Sequence, residues 1–226
     1  MMLHIPGVLS REQVNNIVSS LAKSHWQEGI ATAGDQAVSR KSNFQLPSDS
    51  ADAKQLGQQV INALNQHLLF LSFALPKHLL SPLFNCYQDG GHYGNHVDNA
   101  LHTDSQLATR IRTDISLTVF LNEPQDYQGG ELIVEDTYGA HEVKLPAGDA
   151  IVYPSTSLHR VEPVTRGRRL AAVTWVQSMI RDNWQRSMLF NLDMNIVKLR
   201  QRIGDTEELL GLTSHYHNLL RQWIDT

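Results

Sequence analysis

Apolar positions near the start of the chain recur every three or four residues. Val14, Ile17, Val18 and Leu21 follow Ser10 and Gln13, whose spacing is that of a capping box, so an amphipathic helix is predicted over residues 10–24. Leu56, Val60, Ile61, Leu64, Leu68 and Leu71 predict a second, longer helix over about 50–72. The polar stretch 29–50 has no clear period and reads as strand and loop. From Leu83 to Gln177 the pattern shifts to short β-rich runs broken by glycine, proline and asparagine. The predicted strands are 83–88, 92–97, 114–121, 130–135, 141–145, 149–153, 158–164 and 169–177. In the third, Ile115, Leu117, Val119 and Leu121 alternate with Ser116 and Thr118, giving one buried face. Short strands at this spacing imply a sandwich or jelly roll with helices packed outside. Beyond Ser178 the helical period returns, with one stripe through Leu189, Leu192, Ile196, Leu199 and Ile203 and another through Tyr216, Leu219, Leu220 and Trp223. The expected organisation is a domain over 1–178, with its β core at about 83–177, followed by a helical C-terminal domain over 179–226. No internal repeat is evident.

Composition narrows the function classes. A 226-residue chain that is 41% hydrophobic and 19% charged buries a core without disulfide or metal staples, which excludes a disordered or collagen-like protein. The apolar run Leu68 to Leu75 falls far short of the roughly 18 residues that span a bilayer. The formal charge of −4 argues against polyanion binding, so no nucleic-acid or membrane partner is expected. Cys86 is the single cysteine, and the first residues lack a basic start followed by an apolar stretch, so a cytoplasmic protein, monomer or homodimer, is expected.

Eleven histidines are the unusual feature, and the segment from Tyr87 to Asp98 concentrates the chemistry. Side chains two apart on a strand face the same way, so His96 and Asp98 can reach one metal. His159, at the start of a later β run, is the candidate third ligand. Two histidines and one carboxylate form the facial triad of non-haem Fe(II) oxygenases, with three positions left open. Ten residues on, Arg168 and Arg169 begin an otherwise apolar strand, and a guanidinium there suits a carboxylate partner. Spacing alone leaves rivals standing. His102-Thr-Asp104 is a second H-x-D triplet, His92 reads as a surface or supporting histidine, and Arg166 to Arg169 also fits a solvated hairpin tip. His215 and His217 diverge on a helix and are poor partners for one metal.

Taken together, these motifs resemble the prolyl 4-hydroxylase-like branch of Fe(II)/2-oxoglutarate-dependent dioxygenases. The resemblance rests on Tyr87-x-x-Gly90-x-x-Tyr93-x-x-His96-x-Asp98, Arg112-x-x-x-Ser116-x-x-x-Phe120-Leu-Asn122, Gly129-Gly-Glu-Leu132, Gly148-Asp-Ala-Ile-Val-Tyr-Pro154, His159 and Arg169. The N-terminal Met-Leu-His-Ile-Pro-Gly-Val-Leu-Ser and the helical tail further resemble the bacterial PKHD-type hydroxylases, the PiuC-like group associated with iron uptake. The resemblance implies an α+β fold built on a double-stranded β-helix, the cupin-like jelly roll. It also implies Fe(II) held by His96, Asp98 and His159 as the catalytic triad, and 2-oxoglutarate held by Arg169 with Tyr87. The implied reaction hydroxylates a peptidyl or small-molecule substrate with O2, releasing succinate and CO2, with L-ascorbate as co-reductant. Trp175 and Tyr93 are candidates either for the cosubstrate wall or for the core, and Asn85 and Asn95 for polar contacts. Two rival readings are a jelly-roll sensor without turnover and a zinc hydrolase using Asp104 or Glu131 as general base.

Overall fold

The computed structural model describes residues 1–29, 41–104 and 109–225; part of the predicted 29–50 strand-and-loop region therefore lies outside the described residues. Helix α1 (Arg11–Leu21) starts as expected. Ser10 accepts from the Gln13 amide and Gln13 reaches back to the Ser10 amide, closing the capping box. The predicted second helix is two. Helix α2 (Ala51–Gln66) ends at His67, whose extended backbone (φ −89°, ψ 105°) redirects the chain into α3 (Leu68–Ala74). That turn buries Phe70, Phe73 and Ala74 and leaves Leu68 82% exposed, so the apolar period of one continuous helix does not hold across it.

Among the described residues two antiparallel sheets face each other. The larger runs in the order Leu3–Ile5, Ala150–Pro154, Ile115–Phe120, Arg169–Ser178, Leu83–Tyr87, Phe44–Gln45 and Gln27–Glu28, with Pro76–Leu79 also paired to the Arg169 strand. The smaller runs Gly139–Val143, Leu132–Asp136, His159–Val161, His92–His96 and Lys41–Ser42. This is the expected jelly roll. The predicted strand 158–164 divides in two, His159–Val161 in the smaller sheet and Val164–Gly167 paired with Tyr127–Gly129. Pro163, which has no amide to donate, sits at the break.

Both faces of the strand Ile115–Phe120 are buried. Its apolar row, Ile115, Leu117 and Val119, packs outward against α1, α2 and α3 with Val14, Ile17, Leu56, Val60 and Phe70. Its polar row, Ser116 and Thr118, faces into the roll and is buried as well. A second apolar cluster joins the sheets, with Phe120, Ile151 and Tyr153 from the larger and Leu132, Val134 and Val161 from the smaller.

The chain ends in helices α4 (Asn183–Ile203) and α5 (Glu207–Trp223). Asp182 caps α4, and Gly204 at φ 74° turns the chain into α5. Tyr216, Leu219, Leu220 and Trp223 of α5 cover Leu75, Ile180 and Leu189. The stripe on α4 is buried at Leu189 and Ile196, while Ile203 is exposed. No helix among the described residues is long and apolar enough to cross a membrane.

Candidate active site

The open end of the roll holds a cavity of about 780 Å³, lined from both sheets. His96, Asp98 and His159 meet there. His96 and His159 are directly opposite each other on adjacent antiparallel strands, and Asp98 follows two residues beyond His96. One donor atom from each of the three lies within 4.8 Å of the others, with His96 Nε2 3.9 Å and His159 Nε2 3.8 Å from the Asp98 carboxylate.

Neighbouring groups orient each member. His96 Nδ1 lies 2.8 Å from the Gly94 carbonyl and His159 Nδ1 3.0 Å from the Ser157 carbonyl. A carbonyl only accepts, so each Nδ1 carries the proton and each Nε2 presents a lone pair. Burial, followed by the adjacent His159, lowers the His96 pKa to about 4, which keeps its imidazole neutral well into acid. Tyr93 stacks on the His96 ring at 3.6 Å, and burial first, then Asp98, pushes its phenol up to about 12. Ser116 donates to Asp98 Oδ2 at 2.5 Å and lies 2.8 Å from Ser155 Oγ. Three converging donors, two of them neutral nitrogens and one a carboxylate, on one side of an open cavity fit a divalent ion that keeps free coordination positions.

Arg169 enters the cavity from the larger sheet and is 1% exposed. Its guanidinium lies over the rings of Tyr87, its cross-strand partner, and Phe120, at 5.4 and 5.3 Å. Its Nε has no hydrogen-bond partner, and no carboxylate pairs with it among the described residues. Tyr87 is buried beside it, which raises its pKa. Room for the arginine comes from Gly130 at φ 69°, where a Cβ would lie 3.0 Å from Arg169 Cδ and 2.7 Å from Val164 Cγ2. Asn122 Oδ1 accepts from the Leu170 amide at 2.7 Å and holds the start of the Arg169 strand in place.

Other sequence candidates sort by position. Arg168, His215 and His217 are exposed, and the His92 ring turns back to the nearby Gly90 carbonyl at 3.1 Å. Glu131 is engaged by Lys144 at 3.0 Å and does not line the cavity, and the side chain of Asp104 lies outside the described residues. His102 is drawn into the cavity wall, where it stacks on Trp175 at 4.2 Å. Asn85 also lines the cavity, its Oδ1 accepting from both Asn43 and Gln45, as does Asn95. Reading the sequence missed Lys41, a buried lysine over the Tyr93 ring whose pKa burial lowers to about 8. Its place at the edge of a two-residue strand leaves no periodicity to detect.

Residues 82–177 match the 2OG-Fe(II) oxygenase superfamily and residues 183–225 match the PKHD-type hydroxylase C-terminal domain. A PKHD-type hydroxylase of Hyphomonas neptunium is 60% identical over 225 residues, covering all of both chains. Another from Aliarcobacter butzleri is 52% identical over the same length, again covering both. Among solved structures, a Pseudomonas putida prolyl-4-hydroxylase superposes with TM-score 0.53 at 22% identity, over 78% of this chain and 92% of that one. A Paramecium Bursaria Chlorella virus-1 collagen prolyl hydroxylase gives TM-score 0.51 at 17% identity, over 78% and 96%. These two likenesses concern the fold. The full-length identity to curated relatives shows the family: this chain belongs to the PKHD-type hydroxylases, enzymes of the Fe(II)- and 2-oxoglutarate-dependent dioxygenase superfamily.

Proposed function

We propose that His96, Asp98 and His159 bind the catalytic Fe(II) and that Arg169, with Tyr87, binds the distal carboxylate of 2-oxoglutarate. The observation that carries this reading is the buried Arg169 guanidinium, which has no carboxylate partner among the described residues and shares a cavity with the triad. An unpaired buried charge is costly, and a dicarboxylate reaching from the arginine to the triad would satisfy it. With iron, 2-oxoglutarate and O2 bound, the chemistry supplied is oxidative decarboxylation to succinate and CO2 coupled to hydroxylation of a C–H bond. The chain's own residues do the positioning. Gly94 and Ser157 carbonyls fix the two imidazoles, Ser116 holds the carboxylate, and Leu132 and Val161 in the cavity wall, with Phe120 beneath the Arg169 guanidinium, help keep the cosubstrate end dry.

The primary substrate we infer is a peptidyl or small organic molecule. A role in iron acquisition is supported by the likeness of both chain ends to the iron-uptake group, and L-ascorbate as co-reductant by the chemistry of the branch. We place the protein in the cytoplasm, in keeping with its free, buried Cys86. We infer a monomer or homodimer, with 179–226 acting as a helical domain whose α5 stripe packs, partly buried, against Leu75, Ile180 and Leu189.

Anaerobic addition of Fe(II) and 2-oxoglutarate tests the assignment. We expect a weak visible charge-transfer band in the wild type and none in His159→Ala or Arg169→Ala. A band that survives both substitutions overturns it.

A further inference from the structure

The Tyr127 hydroxyl is a buried group that nothing in the described fold uses. The residue is 3% exposed, and its Oη has no hydrogen-bond partner. Its ring is accounted for. It belongs to the cluster of Tyr87, Phe120 and Val164, and Lys144 Nζ lies over its centroid at 4.2 Å. A phenylalanine would make the same contacts, so only the hydroxyl lacks a structural reason. A buried polar atom left unpaired is costly and ordinarily finds a partner.

A second orphan lies beside it. Arg169 is 1% exposed, and its Nε, which can only donate, is also without a partner. The backbone brings the two side chains together. Tyr127 is directly opposite Gly167, two residues before Arg169, in the pairing of Tyr127–Gly129 with Val164–Gly167. The notch at Gly130 lies between them: the point where a Cβ would stand is 3.1 Å from Tyr127 Cε2 and 3.0 Å from Arg169 Cδ. Cε2 adjoins the ring carbon that bears the hydroxyl, and Cδ is bonded to Nε. Burial, opposed by the Arg169 charge, raises the Tyr127 pKa, so the hydroxyl stays a neutral phenol with lone pairs to accept. Arg169 lines the cavity and Tyr127 does not, so the hydroxyl stands behind the guanidinium, away from the cosubstrate.

Resting on the cosubstrate assignment above, we propose that Tyr127 is a positioning residue for 2-oxoglutarate: its Oη accepts from Arg169 Nε–H and holds the two terminal nitrogens toward the distal carboxylate. A guanidinium is a rigid planar fork, so fixing Nε sets the direction of both terminal donors. The rings of Tyr87 and Phe120 lie against it, but a ring contact leaves the fork free to turn in its own plane. The Nε bond stops that turn. Lys144 steadies the tyrosine in the same way, donating to the Tyr127 and Gly129 carbonyls at 3.1 and 2.9 Å and to Glu131 at 3.0 Å.

Tyr127→Phe removes the hydroxyl and keeps the ring. In anaerobic Fe(II) titrations followed by the charge-transfer band, it is expected to weaken 2-oxoglutarate binding about tenfold. Arg169→Ala is titrated beside it. Unchanged affinity in Arg169→Ala overturns the cosubstrate reading, whereas a loss there with wild-type affinity in Tyr127→Phe overturns only the role of Tyr127. A general loosening of the roll would disturb the triad as well, so Mn(II) affinity is measured and is expected to stay within twofold. The bond itself is read in 15N-arginine-labelled, Zn(II)-loaded full-length protein, where Arg169→Lys identifies the Arg169 Nε–H resonance by its loss. With 2-oxoglutarate bound, that proton is expected to exchange with solvent at least tenfold more slowly in the wild type than in Tyr127→Phe. The proposal is overturned by a 2-oxoglutarate affinity within twofold of the wild type, by a matching loss of Mn(II) affinity, or by equal Nε–H exchange in the two proteins.

Discussion

Asp98 hangs on rotatable single bonds, and a carboxylate so placed swings unless a donor pins it. Ser116 supplies that donor at 2.5 Å, with Ser155 behind it. The two histidines are held by backbone carbonyls, which point substitutions leave in place, so the serine is the one side chain among these supports that mutation can remove cleanly. Ser116→Ala is expected to keep the fold by circular dichroism and to weaken divalent-metal binding about 10- to 100-fold in anaerobic Mn(II) calorimetry. An affinity within twofold of the wild type would falsify the supporting role. The sequence showed Ser116 as the polar half of an alternating strand, a position that usually faces water, and as one residue of a family motif to which no role was attached. Here that half faces the cavity, because the apolar half is claimed by the helices outside.

At the level of elements, three pieces of chain converge on one small apolar cluster: Leu75 after α3, Ile180 before α4, and Leu189 within it, all roofed by α5. Leu189 is fully buried, so Leu189→Ala is expected to cost about 2–5 kcal/mol and lower the thermal midpoint by about 5–15 °C, with the terminal helices and the roll melting in one transition in calorimetry. Two separated transitions would mean that the helices hold together without the roll. Elements long enough to show a period were legible beforehand: α1, the Ile115 and Arg169 strands, and both terminal helices. Two-residue strands such as Lys41–Ser42 and Phe44–Gln45 hold a single repeat, so their region was legible only as strand and loop without bounds. The break at His67 carries no glycine or proline to announce it, whereas Pro163 marks the split of the run predicted as one strand over 158–164. Spacing brought His96 and Asp98 together but not His159, since strand pairing between positions so far apart in the chain is a tertiary fact. His159 therefore stayed a candidate on the residues alone, and family resemblance then chose His96 and Asp98 over the rival triplet and Arg169 over Arg168.

The larger sheet of the whole molecule turns its apolar face outward to the helices and its polar and charged groups inward, so the helices do the shielding that a closed apolar interior would otherwise provide. The interior is thereby free to hold Arg169, Ser116 and Thr118 at almost no exposure. Depth then sets an order of traffic. Arg169 lies at the bottom of the cavity, while Val97 at 51% and Leu158 at 37% exposure mark its rim. A molecule destined for the bottom has to pass the place where a later arrival will sit, so occupancy obeys a last-in, first-out rule. Stopped-flow mixing should therefore find that a ligand already seated at the rim, beside Val97 and Leu158, slows both the capture and the escape of 2-oxoglutarate. Equal rates with and without that ligand would mean a second way in.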